Sequence, residues 1–179
     1  LAGIVAFTAL GLSLLGQALH WGVWAYSDST AYIVSARMLA TGRGLGLPTA
    51  EGGFSPLALH PPLYPLLISV LFLFNLDPLD ALAGINLALF AAAILIGGGL
   101  TYGLTRAPLL AVSASALVAL PPAMLRNFDG AMTEPLYIPL SILAVLLLAW
   151  YWQKGSRTAL AAAGLVTGLA GLARYTGLS

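Results

Sequence analysis

Residues 62–76 read PLYPLLISVLFLFNL, and whether this stretch crosses a membrane decides the topology of the chain. Only eleven residues follow Pro65 before Asp77 ends the apolar run. A helix that crosses a bilayer needs about twenty apolar residues. The stretch therefore predicts a short helix over 62–75 that lies along the membrane interface or dips into it. On this prediction residues 25–79 begin and end on the same side.

The composition of the whole chain indicates an all-α integral membrane protein. Of its 179 residues, 60% are hydrophobic and only 7% are charged, whereas soluble domains carry about 25% charged residues. We predict about five transmembrane helices and one or two interfacial helices in a long first loop. The predicted spans are residues 2–24, 80–104, 107–125 and 135–153, with a shorter fifth over 158–174.

The distribution of charge favours the topology in which 62–76 does not cross. Arg106 then lies on the same side as Lys154 and Arg157, while all six acidic residues lie on the other side, as the positive-inside rule predicts. If 62–76 does cross, Asp129 and Glu134 lie across the membrane from Asp28. In the favoured topology, where 62–76 does not cross, the outer face holds a first loop over 25–79 and a second loop over 126–134. The first loop is predicted to contain interfacial helices over 29–41 and 62–75.

Several functional classes find no support in the composition. The net charge of +1 gives no reason to expect nucleic acid as a partner, and no cofactor motif is present. There is no cysteine, which excludes disulfides and zinc–thiolate sites. The two histidines, His20 and His60, are far apart in sequence, and the metal requirement stays undecided. Because the sequence opens on Leu1 and stops after an apolar run, we expect residues 1–179 to be a single transmembrane module of a longer chain.

Three acidic residues are candidates for catalysis. Asp28 precedes the first interfacial helix, where an Asp ordinarily caps the helix, but a carboxylate at a membrane surface can also act as a general base. Asp129 and Glu134 lie in the second outer loop. Glu134 also suits the first turn of a helix, and Asp77 with Asp80 is predicted to cap the helix that follows them.

Three cationic or titratable residues are candidates for binding a phosphate. His60 stands before a double proline that fixes its backbone, and it could donate to a phosphate or titrate near pH 7. Arg126 and Arg174 could hold a phosphate through the planar guanidinium fork. The simpler interpretations are a polar helix start for His60 and snorkelling toward lipid phosphate for the arginines.

The order of these features resembles the N-terminal part of the GT-C glycosyltransferases that use polyprenyl-phosphate sugars. The shared features are an acidic residue after the first span, HPPLYPLLIS at 60–69, TEPLYIPL at 133–140 and AGLVTGLAGLARYTG at 163–177. Protein O-mannosyltransferases and lipid A aminoarabinose transferases are examples of this class. Many O-mannosyltransferases carry an acidic pair in the first loop, whereas here Ser29 follows Asp28, which favours a bacterial transferase of another specificity.

The resemblance implies an inverting membrane glycosyltransferase in the plasma membrane, with its active site on the extracytoplasmic side. Asp28 would be the catalytic base, Asp129 or Glu134 the second-loop acid, and His60 and Arg174 would lie near the donor phosphate. The partners would be a polyprenyl-phosphate sugar, membrane lipids, and a lipid, glycan or protein acceptor. The alternative is a transporter or flippase for a lipid-linked or anionic substrate, although no predicted span carries a charge near its centre.

Overall fold

The structure, a computed structural model, describes residues 1–175 and is mostly helical. Eight α-helices and one short β-hairpin form in these residues. A 3-10 turn at Leu19–Trp21 extends the first helix. The helices are α1 (Ala2–Ala18), α2 (Ser27–Ala40), α3 (Leu63–Leu73), α4 (Pro78–Thr105), α5 (Pro108–Ala119), α6 (Pro122–Phe128), α7 (Glu134–Lys154) and α8 (Arg157–Ala173). The antiparallel hairpin pairs β1 (Gly46–Pro48) with β2 (Phe54–Pro56).

Three of these helices are long and apolar enough to cross a membrane. They are α1 with its 3-10 extension (20 residues), α4 (28 residues) and α7 (21 residues), and a fourth span results if α5 and α6 are counted as one broken helix. The helical, apolar architecture thus agrees with the sequence-based expectation. The fifth predicted span corresponds to α8, which has 17 residues. A crossing helix needs about twenty, so this span stays a prediction. At 1.5 Å per residue, the 11 residues of α3 reach about 17 Å, roughly half the hydrocarbon thickness.

One predicted span is not a straight helix. The sequence predicts a continuous span over 107–125, but the structure breaks it into α5 and α6, which are bent by 59°. The break falls at Pro121 and Pro122. Neither proline has a backbone N–H, and their rings clash with the preceding turn of a helix. The second helix therefore turns away and carries its C-terminal end toward the loop at 129–133.

The helix α4 lies at the centre of the bundle and packs against α1, α5 and α7. Its buried Phe90 and Ile94 meet Leu15 of α1, Ala119 of α5 and Phe128 of α6 in one apolar cluster. The approach of α4 to α5 is close at Gly98, where a Cβ atom would collide with the hydroxyl of Ser115. Small residues permit such contacts between apolar helices.

One end of the bundle collects the segments that contain most of the candidate residues. The backbone of Trp24, after α1, pairs with the segment that follows α6, and Asn86 in α4 bonds the same segment. Arg174, after α8, pairs with Glu134 at the start of α7. Residues 25–77 consequently start and finish at this end, which is the geometry of the non-crossing topology. The turns at Arg106 and at residues 154–157 lie at the far ends of α4 and of the α7–α8 pair.

Candidate active site

Asp28 lies in the first turn of α2, and the prediction that it caps this helix is wrong. The helix begins at Ser27, one residue before Asp28, and its capping hydrogen bond comes from Ser29. The Ser29 hydroxyl accepts from the backbone N–H of Tyr26 at 2.9 Å and donates to the carbonyl of Ala131 at 2.8 Å. The Asp28 carboxylate is therefore not engaged in capping, and its side chain is 53% exposed.

His60 faces this carboxylate from the other side of the first loop. Its Nε2 atom lies 3.9 Å from Oδ1 of Asp28, and its ring stands edge-on to Tyr32 with 5.2 Å between centroids. Its backbone carbonyl accepts a hydrogen bond of 3.2 Å from the Tyr175 hydroxyl. Because Pro61 fixes the residue on its other side, the imidazole is held in place by backbone and ring contacts.

Glu134 and Arg174 form an ion pair beside Asp28 and His60. Arg174 donates from Nη1 to Oε1 of Glu134, while the second carboxylate oxygen accepts from the Thr133 hydroxyl at 3.4 Å. The Arg174 side chain is 38% exposed. A guanidinium has five N–H donors, so a single ion pair leaves several for another anion.

These residues surround a cavity of about 190 Å³ at the end of the bundle. Four of the six residues predicted from the sequence thus meet in one place. Asp28, Glu134 and Arg174 line the cavity, and His60 stands at its edge, in contact with Asp28. A second cavity, of about 280 Å³, lies on the other side of Glu134 and includes Arg126. The first cavity is lined by Asp28, Tyr32, Leu59, Pro61, Met132, Thr133, Glu134, Arg174 and Tyr175.

Two predicted site residues line neither cavity: His60, which stands beside Asp28 at the edge of the first, and Asp129. The backbone carbonyl of Asp129 accepts from the N–H of Trp24 at 2.9 Å, and its Oδ1 atom is buried without a hydrogen-bond partner among residues 1–175. Burial raises the pKa of this carboxyl above its usual value, and the Arg126 guanidinium opposes only part of the rise. The structure therefore favours Glu134 over Asp129 as the second-loop acid of the cavity.

We expect Asp129→Asn to raise the unfolding temperature at neutral pH and to leave it unchanged in acid. Since the carboxyl pKa is higher in the folded protein than in the unfolded chain, the folded state binds more protons. Stability then falls as pH rises from the ordinary carboxyl value through the raised one, and the loss persists above it. Asn cannot ionise and should not show this loss. The measurement is the difference in unfolding temperature between variant and wild type from about pH 4 to neutrality, with Asp80→Asn as the control variant. A difference independent of pH would contradict the expectation.

Two residues of this region were not predicted from the sequence. Tyr32 lies one helical turn after Asp28, the spacing that places two side chains on one face. The pKa of its phenol is raised, first by burial and second by the Asp28 carboxylate, while the Thr133 hydroxyl acts in the opposite direction. Asn86 is fully buried in α4. Its amide donates to the carbonyls of Phe128 at 2.9 Å and Gly130 at 3.0 Å, which holds the segment before Glu134.

Metal ligation gains no geometric support in the part of the chain that is described. No group of three or more His, Asp or Glu side chains within residues 1–175 comes close enough to hold a metal ion.

Comparisons of the chain with protein-family models, with curated proteins and with solved structures find no match.

Proposed function

We propose that the chain is part of a membrane glycosyltransferase that moves a sugar from a polyprenyl-phosphate donor to an acceptor at the membrane surface. The observation that carries the proposal is the cavity in which the uncapped Asp28 carboxylate, paired with His60, faces the Glu134–Arg174 ion pair. A base and a phosphate-binding cation are the two groups that this transfer needs. The order of sequence motifs that resembles the GT-C class supports the same proposal.

The two acids of the cavity would have different roles in this reaction. Asp28 has a half-exposed carboxylate that no arginine or lysine among residues 1–175 approaches within 4.0 Å, whereas Glu134 is engaged by Arg174. Asp28 is thus the acid that is available to accept a proton. Glu134 fixes the guanidinium of Arg174 and balances its charge when no donor is bound, so it is a positioning residue.

The proposed reaction is a single displacement at the anomeric carbon. The acceptor hydroxyl or amine attacks that carbon, its proton passes to the Asp28 carboxylate, and the bond between the carbon and the phosphate oxygen breaks. The polyprenyl phosphate departs with the electron pair. Arg174 would stabilise its negative charge through the donors that Glu134 leaves free, and attack from the opposite side would invert the configuration.

The position of the cavity suits a donor that is anchored in lipid. It lies at the end of the bundle, where the apolar helices α1, α4 and α7 begin or end, and these helices carry charged side chains only in their first or last turn. A transporter is expected to place charge deep within its spans. The absence of such charge in these three helices favours surface chemistry over passage through the bundle. We further propose that this end faces the extracytoplasmic side of the plasma membrane.

The direct test is sugar transfer by the full-length protein in lipid nanodiscs. A panel of radiolabelled polyprenyl-phosphate sugars is supplied with membrane extract as the source of acceptor, and the release of polyprenyl phosphate is measured. We expect at least one donor to be consumed and its sugar to appear on an acceptor. If a labelled donor instead crosses the bilayer of proteoliposomes with its sugar–phosphate bond intact, the proposal is wrong and transport is the activity.

A further inference from the structure

The helices α2 and α3 pack against each other and leave one apolar face of α3 uncovered. Tyr64 and Ile68 of α3 are buried against Tyr32 and Ala36 of α2. Side chains on the opposite face of α3 are exposed by 44–71%, although all are large and apolar. The exposed residues are Leu66, Val70, Leu73 and Phe74. Their spacing of three to four residues makes a continuous stripe, and such a stripe on an uncharged helix is typical of contact with acyl chains.

Two arginines border a pocket on the α2 side of this helix pair. The pocket has a volume of about 310 Å³ and lies between the C-terminal half of α2, the turn that follows it and β1. The guanidinium of Arg37 stacks over the ring of Phe72 in α3, 5.2 Å from its centroid. Phe72 packs on the side of α3 that faces α2, so the positive charge lies at the seam between the two helices, and the stripe lies on the other face of α3. The pocket is lined by Val34, Arg37, Met38, Thr41, Arg43 and Pro48.

The backbone that presents Arg43 is well ordered by hydrogen bonds. The N–H of Arg43 donates to the carbonyl of Met38 at 2.9 Å, and the Thr41 hydroxyl lies 3.0 Å from the carbonyls of Arg37 and Met38. Gly42 adopts a φ of +76°, the left-handed conformation that closes a helix C-terminus. The second guanidinium thus starts from a defined position at the edge of the pocket.

Neither arginine has a carboxylate partner in the described part of the chain. Within residues 1–175, the arginine that pairs with a carboxylate is Arg174, whose partner is Glu134. Two guanidinium groups at one pocket with apolar walls are complementary to an anion that carries an apolar tail. Arginine binds phosphate in a bidentate manner and stacks on aromatic rings at the same time.

We propose that this pocket binds the phosphate of an anionic phospholipid of the surrounding bilayer, while the exposed stripe of α3 contacts the acyl layer of the same membrane. The site is separate from the candidate active site: Arg37 is nine residues along α2 from Asp28, or about 14 Å at the rise of an α-helix. Binding there would fix the depth of the α2–α3 pair in the interface, and α2 carries Asp28 and Tyr32. The inference does not require the proposed transferase activity.

The test is the thermal stabilisation of the full-length protein in mild detergent by short-chain phosphatidylglycerol. We expect a saturable rise in unfolding temperature, with phosphatidylcholine and inorganic phosphate giving much smaller rises. Arg37→Gln and Arg43→Gln should each weaken the apparent affinity for phosphatidylglycerol by about fivefold, and the double substitution by about thirtyfold. Arg106→Gln is the matched control, because Arg106 also stacks on an aromatic ring, that of Tyr102 at 5.9 Å, but lies at the far end of α4.

Three results would overturn the proposal. They are equal stabilisation by phosphatidylcholine, equal stabilisation by inorganic phosphate, and an equal loss of affinity in Arg106→Gln. If Arg37→Gln does not fold because it loses its stacking on Phe72, Arg43→Gln alone decides the matter, since Arg43 stacks on no ring among the described residues. Unchanged affinity in Arg43→Gln would then reject the site.

Discussion

Asp28→Asn is expected to lower the rate of sugar transfer by about 10²–10⁴-fold, the contribution typical of a general base. Asn has nearly the same shape as Asp but cannot accept the proton of the acceptor. The fold should be retained, because the helix α2 is capped through Ser29 and the Asp28 side chain is half exposed. The measurement is single-turnover transfer from a saturating polyprenyl-phosphate sugar by the full-length protein, with the KM of the donor determined separately.

The matched control for this substitution is Asp80→Asn. Asp80 is an exposed acid in the first turn of α4 and lines neither cavity at the candidate site. Its variant should turn over at the wild-type rate. An unchanged rate in Asp28→Asn, in a preparation where the wild type is active, would remove Asp28 from the chemistry and leave the rest of the proposed function standing.

Asn86→Leu is expected to lower the free energy of unfolding by roughly 1–3 kcal/mol: two buried carbonyls lose their donor at about 1–3 kcal/mol each, and the loss of the buried Asn86 Oδ1, which has no hydrogen-bond partner within residues 1–175, offsets one such amount. Leu fills a similar volume but cannot donate to Phe128 or Gly130. The segment they belong to precedes Glu134, so the ion pair with Arg174 should also become less well fixed. Thermal unfolding in detergent, followed by tryptophan fluorescence, measures the change.

The control for Asn86→Leu is Gln17→Leu, which makes a similar polar-to-apolar change on the exposed side of α1. Exposed substitutions of this kind usually change stability by less than about 0.5 kcal/mol. If both variants lose the same stability, the hydrogen bonds of Asn86 are not what holds the segment. If only Asn86→Leu loses stability while transfer continues at the wild-type rate, the segment does not position Glu134.

Local features of the sequence predicted most of the helices. The sequence predicts that Asp77 and Asp80 cap the helix that follows. The Asp77 carboxylate accepts from the N–H groups of Leu79 and Asp80 at 2.9 and 3.3 Å, which confirms the prediction for Asp77. For Asp80 it is wrong, because this residue already lies in the first turn of α4. The sequence also predicts that Asp28 caps α2, and there the prediction is wrong. A cap depends on the residue at which the helix begins, and Ser29 fixes that start through its bond to Ala131, which is distant in sequence.

The predicted straight span over 107–125 failed for a reason visible in the sequence. Two consecutive prolines interrupt the apolar run, but hydropathy counts only how apolar a segment is and does not register the loss of two backbone donors. The signal for Asn86 was also present, as a single amide within an otherwise apolar run. Such a residue predicts a polar partner in the interior, although its identity requires the tertiary structure.

The sequence could not predict which candidate residues contact each other at the site. Asp28 and His60 are 32 residues apart, and Glu134 and Arg174 are 40 apart. Periodicity relates residues on one helix but says nothing about which loop ends meet at one end of a bundle. The prediction that both outer loops lie on one side of the membrane follows from the distribution of charge, which restricts the topology without specifying distances.

The contribution of Arg174 and Tyr175 to the cavity has a consequence for biosynthesis. Both follow the last described helix, and they meet residues far earlier in the sequence: Arg174 pairs with Glu134, and the Tyr175 hydroxyl lies within hydrogen-bond distance of the carbonyls of Ala58 and His60. A nascent chain that has inserted every helix up to α7 still lacks this side of the cavity. Such long-range closure is a late event in folding. The partly synthesised protein would therefore hold an unfinished cavity until α8 has emerged and docked, and under the proposed function it would be inactive until then.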